Sequence, residues 1–185
     1  MFDVGAGVGA ETLLFSRLVG PSGTVVSLEA HPRTFERLAR LCEVNRLHNV
    51  IPLQVAATDG DGTTSISDSD QYLLNTLVGG AGDGIEVNAR RLDTLAPELG
   101  VTRIDLLKMN IEGAERLAIR GLEGVIGSTR HVCISCHDFL GGEEMRTKED
   151  VRRFLVEHGF DVRSREDAPE PWTRDYLYGV NRRNV

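Results

Sequence analysis

The sequence predicts an α/β protein with a doubly wound, mostly parallel sheet and helices on both faces. Short β-branched runs alternate with amphipathic stretches, the pattern of parallel strands joined by crossover helices. The first junction, DVGAGVG at residues 3–9, leads straight into the helical stretch ETLLFSRL, and Gly5, Gly7 and Gly9 suit a strand-to-helix turn whose backbone comes close to a ligand. Glu29 ends the second predicted strand 20 residues beyond Gly9, where a carboxylate can accept both hydroxyls of a ribose.

Each element follows from its own pattern. The first strand ends near Val4 with only Met1 and Phe2 ahead of the motif, whereas strands commonly have about five residues, so it reads as truncated and as lacking elements that normally precede it. Residues 11–18 read as a helix with Leu13, Leu14 and Leu18 on its buried side, stopped by Gly20, Pro21 and Gly23. Residues 24–28 form the second strand, and residues 32–45 a helix with Phe35, Leu38, Leu41 and Cys42 at helical spacing. Residues 50–55 form a third strand. Residues 58–84, rich in Asp, Ser, Thr and Gly, read as a variable excursion on the substrate side. A small strand at 85–92 and a short helix at 93–99 lead to the fourth core strand, IDLLKM at 104–109. A helix at 112–121, a fifth strand at 131–135 and a helix at 148–158 follow. Residues 160–163 and 176–180 close the sheet as an edge pair of strands.

Composition narrows the function. A chain of 185 residues with 41% hydrophobic content supports one domain with one sizeable core. Its net charge of −7, with Lys and Arg scattered, argues against a dedicated nucleic-acid surface. Three cysteines, Cys42, Cys133 and Cys136, do not make a disulfide framework, and with no signal peptide or membrane span in the pattern they point to the reducing cytoplasm. Cys133 and Cys136 lie three apart on a strand, hence on opposite faces, and read as core residues.

The glycine turn alone leaves the ligand open. Gly5, Gly7 and Ala10 also satisfy the G-x-G-x-x-A form of a dinucleotide fingerprint, and such a turn also occurs with no ligand at all. Glu29 opposes a 2′-phosphate, and so NADP, without separating NAD from S-adenosylmethionine. Asp3, two residues ahead of Gly5, suits a ligand carrying an ammonium or sulfonium and would repel a pyrophosphate. That favours S-adenosylmethionine.

Four stretches then carry a family resemblance: residues 3–38 around the glycine turn, NRLHNVIPLQVAATDGDG, RRLDTL and IDLLKMNIEGAERLAIRG. Together they resemble the FkbM-type S-adenosylmethionine-dependent methyltransferases over residues 2 to about 140. The resemblance implies the Rossmann-like class I methyltransferase fold, with the cofactor over the carboxyl ends of the strands, and methyl transfer to an oxygen, commonly of a sugar or natural product. It also implies that Asp3, Gly5, Ala6, Gly7 and Gly9 hold the methionine half, Glu29 the ribose, and Ala30 and Ala56 the adenine. Asp59 either reaches the adenine amino group or is a turn residue in TDGDG. Where the family pattern K-I-D-V-E-G-A-E has Asp, this chain has Asn110.

Asn110, Glu112 and Glu115 fall where the fourth strand meets its helix, and His137 and Asp138 follow the fifth strand at the same sheet edge. Asn110, Glu112 and His137 are the candidate catalytic residues, with His137 able to take a proton from an attacking hydroxyl. Glu115 reads as a helix-start cap. The same cluster could accept a divalent ion, but Asn110 makes it a poorer hard-cation site and no metal ligand is predicted. The other histidines, His31, His48, His131 and His158, read as surface groups. Residues 141–147 and the 58–84 excursion are expected to form the lid, and Trp172 and Tyr176 either wall the acceptor pocket or pack the terminal strands. The sequence leaves two alternatives to a hydroxyl methyltransferase: an NAD-dependent oxidoreductase and a non-catalytic cofactor-binding remnant.

Overall fold

A computed structural model describes residues 1–68, 84–143 and 145–183. In chain order the elements are β1 (Phe2–Val4), α1 (Ala10–Val19), β2 (Val25–Leu28), α2 (Pro32–Val44), β3 (Val50–Leu53), β4 (Ala56–Ala57), β5 (Gly62–Ser67) and β6 (Gly84–Arg90). They continue as α3 (Leu92–Glu98), β7 (Ile104–Met109), α4 (Glu115–Arg120), β8 (Thr129–Ser135), α5 (Lys148–Glu157), β9 (Phe160–Arg163), α6 (Pro171–Arg174) and β10 (Tyr176–Asn181). Among the described residues no helix is long and apolar enough to cross a membrane.

The main sheet has seven strands in the order β3-β2-β1-β7-β8-β10-β9. Its first five strands are parallel, and β10 runs antiparallel to both β8 and β9. The expected pairing of β9 with β10 is present, but β10 inserts between β8 and β9, so β9 alone takes the edge. Winding reverses direction at β1, whose two neighbours are β2 and β7. The carboxyl ends of β1 and β7 therefore diverge around a crevice, the usual ligand position in an open α/β sheet.

Two apolar layers hold the sheet. On one face Val4, Leu28, Leu107, Met109, Ile134 and Leu177 pack against Leu92, Leu95, Ile119, Leu122, Val151 and Leu155 from α3, α4, α5 and the turn after α4. On the other, Val25 and Val50 pack with Leu38 and Cys42 of α2 and with Phe15 and Val19 of α1. Each such side chain contributes about 1.5–3 kcal/mol when fully buried. Cys136 is buried, but Cys133 is only partly so, and the three cysteines are free.

Helix α1 departs from its sequence pattern. It buries Thr12 and Ser16, while Leu14 and Leu18 are 53% and 71% exposed. Polar bonds set this phase: the Thr12 hydroxyl donates to Asp3 Oδ2 at 2.6 Å and the Ser16 hydroxyl to Asn49 Oδ1 at 2.6 Å. Helix α4 starts at Glu115 rather than residue 112, because Glu112 and Gly113 both sit at positive φ, 51° and 95°. The 58–84 excursion also differs. Strand β6 pairs parallel with β4 and antiparallel with β5 to form a second, three-stranded sheet. Its small core of Ala56, Ile66 and Val87 gives too few apolar positions for a periodic signal. Residues 69–83 of the excursion, and Glu144 of the 141–147 segment, lie outside the described residues.

The glycine turn is where backbone geometry is tightest. Gly5, Gly7 and Gly9 have φ of 73°, 56° and 91°. A Cβ on Gly5 would lie 1.9 Å from the Asn110 carbonyl oxygen, whereas one on Gly7 would meet nothing within 4 Å. Gly5→Ala should cost at least about 3 kcal/mol of unfolding free energy, and Gly7→Ala roughly 1 to 2 kcal/mol from backbone strain alone. Urea denaturation of the two variants checks the difference.

Candidate active site

The glycine turn is pinned from three sides. Leu28 O at the end of β2 accepts the N–H groups of Gly5 and Ala6, both at 2.9 Å. Gly7 N–H donates to Glu29 Oε2 and His31 N–H to Glu29 Oε1, each at 2.9 Å. Beneath the turn, Lys108 Nζ donates to Gly5 O at 2.8 Å and pairs with Asp3 Oδ1 at 3.0 Å and Glu11 Oε2 at 3.1 Å. Burial would push the Lys108 ammonium down, but the two carboxylates more than offset it and hold it above its ordinary range. Burial pushes the Glu29 carboxyl up, against the pull of the His31 and Gly7 N–H groups.

A cavity of about 100 Å³, partly open to solvent, occupies the crevice between β1 and β7. Gly5, Gly7, Glu29, Ala30 and Ala56 line one part of it, and Asn110 and Glu112 another. Val55, Ala57, Ile66 and Ile111 are part of its apolar wall. Sequence reasoning missed these four. Val55 and Ala57 carried a signal, as strand-end residues flanking Ala56, but Ile66 comes from the second sheet, which had none. Asn110 N–H is tied to Val4 O at 3.0 Å, while its side-chain Oδ1 is buried with no hydrogen-bond partner among the described residues. A buried acceptor left unpaired costs about 1–3 kcal/mol, so this atom is positioned for a ligand donor.

Glu112 lines the cavity in the left-handed region, an unusual conformation for a residue with a long side chain. Behind it His137 places Nε2 3.3 Å from Glu112 Oε2 and Nδ1 2.8 Å from Glu115 Oε1. Glu115 is fully buried, accepts the N–H groups of Gly113 and Ile111 at 3.2 and 3.4 Å, and receives the Thr147 hydroxyl at 3.1 Å. Its spacing suggests a cap on the helix's own first turn; instead it closes the turn ahead of α4 through these N–H groups. Asp138 caps α5, accepting the N–H groups of Thr147 and Lys148 at 2.9 and 3.0 Å. Burial opposes a charge on His137, but hydrogen bonds to Glu112 and Glu115 outweigh it and push the imidazole up to about 9.

The fold therefore brings together Gly5, Gly7, Glu29, Ala30, Ala56, Asn110 and Glu112, and sets five other expected residues apart. Asp3 is fully buried behind the turn, bound to Lys108 and Thr12, and does not line the cavity. Ala6 packs into the α2 side of the core, and Gly9 lies against Leu38. Asp59 faces Arg120 at 3.9 Å, away from the cavity. His137 is 3% exposed and held as an imidazolium, so the expected role as proton acceptor at neutral pH does not fit its placement. His31, expected at the surface, is 2% exposed and meets Asp68 at 3.1 Å, an aspartate that Arg33 also grips. Trp172 is largely exposed and Tyr176 stacks on Tyr178, neither lining the cavity. Among the described residues no cluster of three or more His, Cys, Asp or Glu is arranged to hold a metal ion.

Comparison with known proteins decides the family. The model of the methyltransferase FkbM domain matches residues 3–162. The chain belongs to the FkbM methyltransferase family. It is 28% identical over 200 residues to the 31-O-demethyl-FK506 methyltransferase FkbM of Streptomyces tacrolimicus, covering 90% of this chain and 74% of that protein. It is also 28% identical over 138 residues to the AMB antimetabolite synthetase AmbE of Pseudomonas aeruginosa, covering 73% of this chain but only 6% of the synthetase. Among solved structures, an FkbM methyltransferase from Methylobacillus flagellatus KT aligns with a TM-score of 0.62 at 19% identity, over 97% of this chain and 43% of that one. A fibrillarin from Aeropyrum pernix with natively bound S-adenosyl-L-methionine aligns at 0.56 with 15% identity, over 97% of this chain and 65% of its own. Fold and family agree on an S-adenosylmethionine-dependent methyltransferase of class I architecture. The nicotinamide alternative loses its support.

The residues at the FkbM domain's cavity fit that donor. Gly5 and Gly7 line the cavity with no side chain, Glu29 can receive hydroxyl donors, and Asn110 Oδ1 lacks a partner among the described residues. The buried imidazolium also makes stability depend on pH. A folded-state value raised from 6.5 to about 9 stabilises the fold fully below pH 6.5 and is lost as pH rises through about 9. The loss should be at most roughly 3 kcal/mol. Urea midpoints between pH 6 and 10 should fall in the wild type and fall less in His137→Gln, where the titrating group is gone.

Proposed function

We propose that this FkbM-family domain transfers a methyl group from S-adenosylmethionine to a hydroxyl oxygen of a small molecule or sugar. The observation that carries the reading is the single cavity in which Gly5, Gly7 and Glu29 face Asn110 and Glu112. Glu29 would bind the ribose hydroxyls, Gly5 and Gly7 the methionine half, and Ala30 and Ala56 the adenine. The donor, when bound, supplies an already activated methyl sulfonium, which leaves the protein to orient the acceptor and take its proton. Proximity of this kind accounts for much of the barrier reduction in group transfer.

Glu112 is the acceptor-side residue in this reading. Its left-handed backbone turns the side chain to the cavity wall, and the His137 imidazolium holds the carboxylate in one orientation. Proton loss from the acceptor hydroxyl goes to Glu112, with His137 acting as a positioning residue rather than a base. Asn110 Oδ1 accepts a hydrogen bond from donor or acceptor. The O-methyl assignment draws further support from the Streptomyces relative, whose name records a 31-O-demethyl substrate. No step requires a metal.

Isothermal titration should show binding of S-adenosylhomocysteine and none of NAD. Incubation with S-adenosylmethionine and a panel of hydroxylated small molecules should yield a methoxy product by mass and carbon NMR. Glu112→Gln should lower kcat by about 10² to 10⁴-fold, the range for a lost general base, while leaving S-adenosylhomocysteine affinity within a few-fold. An unchanged kcat in that variant would remove Glu112 from the chemistry. Methylation of amine acceptors alone would overturn the hydroxyl reading.

A further inference from the structure

Lys108 reaches the cofactor side from β7, 103 residues away in sequence from the Gly5 carbonyl it holds. Its Nζ lies 3.0 Å from Asp3 Oδ1, 3.1 Å from Glu11 Oε2 and 2.8 Å from the Gly5 carbonyl oxygen. Asp3 is fully buried, and its second oxygen receives the Thr12 hydroxyl at 2.6 Å. The carboxylate that charge logic assigns to a cationic ligand is therefore answered by a lysine of the chain itself. Gly5, whose carbonyl Lys108 holds, lines the cavity, so the ammonium acts from directly beneath the wall of the donor site.

We propose that Lys108 sets the charge of the donor site, offsetting from beneath the glycine turn part of the Asp3 and Glu11 field that would otherwise favour the sulfonium donor more strongly over its thioether product. The proposal rests on the reading that this cavity takes S-adenosylmethionine. Methyl transfer removes one positive charge from the ligand: the carbon–sulfur bond breaks, its electron pair stays on sulfur, the methyl carbon joins the acceptor oxygen, and the hydroxyl proton leaves. Donor and product thus differ by one unit charge. A site balanced by Lys108 holds the product about as readily as the donor, and turnover then follows the donor-to-product ratio.

Isothermal titration of the full chain with S-adenosylmethionine and, separately, S-adenosylhomocysteine tests this. The readout is the ratio of the two dissociation constants, donor over product. In Lys108→Met the ratio should fall by about three- to tenfold, the scale of one unit charge acting at an effective dielectric constant near 20. In Asp3→Asn it should rise, because the cluster loses one of its two negative charges and Lys108 is left paired with Glu11 alone, and in Lys108→Arg it should stay within about twofold of wild type, since the charge is kept. A purely structural role weakens both ligands together and leaves the ratio unmoved, and that result would overturn the proposal. Should the Lys108→Met chain fail to fold by thermal melting, Asp3→Asn decides, since its ratio must rise. A wild-type chain that binds neither ligand sinks the donor reading and the Lys108 assignment together, whereas binding with an unmoved ratio sinks only the latter.

Discussion

Gly5 packs directly on the backbone carbonyl of Asn110, so close that a Cβ there would lie 1.9 Å from the oxygen. That contact joins the turn after β1 to the turn after β7 at the point where the sheet reverses its winding. The cavity wall carrying Gly5 and Gly7 meets the wall carrying Asn110 and Glu112 there, and the position of each depends on the other. Glycine is required because φ is 73° and because no side chain fits. The bonds around the contact reinforce it: Leu28 O takes two N–H groups of the turn, Val4 O takes the Asn110 N–H, and Lys108 holds the Gly5 carbonyl from below.

Charge is arranged in two clusters on either side of that contact, each built on a buried cation and a fully buried carboxylate, with the exposed Glu11 and the partly buried Glu112 as their outer members. Lys108 sits between Asp3 and Glu11, and His137 between Glu112 and Glu115. In each a single cation answers two carboxylates. Buried ions are tolerated only when paired and hydrogen-bonded, and removing one partner of a buried pair commonly costs about 3–5 kcal/mol. The first cluster fixes the glycine turn, and the second fixes a left-handed glutamate at the cavity wall. Both stand just behind the cavity lining, shaping the groups that face it.

Much of the fold could be read from the chain. The strand IDLLKM falls where its mainly apolar run places it, as for a parallel core strand, and the antiparallel edge strand at 160–163 falls where its Phe-Asp-Val-Arg alternation does. The glycine turn, Glu29, Ala30, Asn110 and Glu112 meet at one cavity because each follows a main-sheet strand at the same sheet edge, and Ala56 joins them from β4 of the second sheet. Helix α1 went against its leucines, since two buried hydroxyl bonds outweigh exposure of Leu14 and Leu18. The second sheet gave little warning, since Thr63, Thr64 and Ser65 carry no apolar alternation.

The sequence by itself determined the strand-and-helix alternation, the glycine turn and the acidic strand end, because these depend on local pattern and backbone freedom. It also carried the motif IEGAE, which marks the family. Tertiary structure decided which groups face the cavity and which stand behind it. Asp3 looked like a ligand for a cation until β7 brought Lys108 to it, and His137 looked like a base until Glu112 and Glu115 closed on both its nitrogens. The reason is the same in both: the effective charge of a buried group depends on partners that are far away in the chain and adjacent only in the fold.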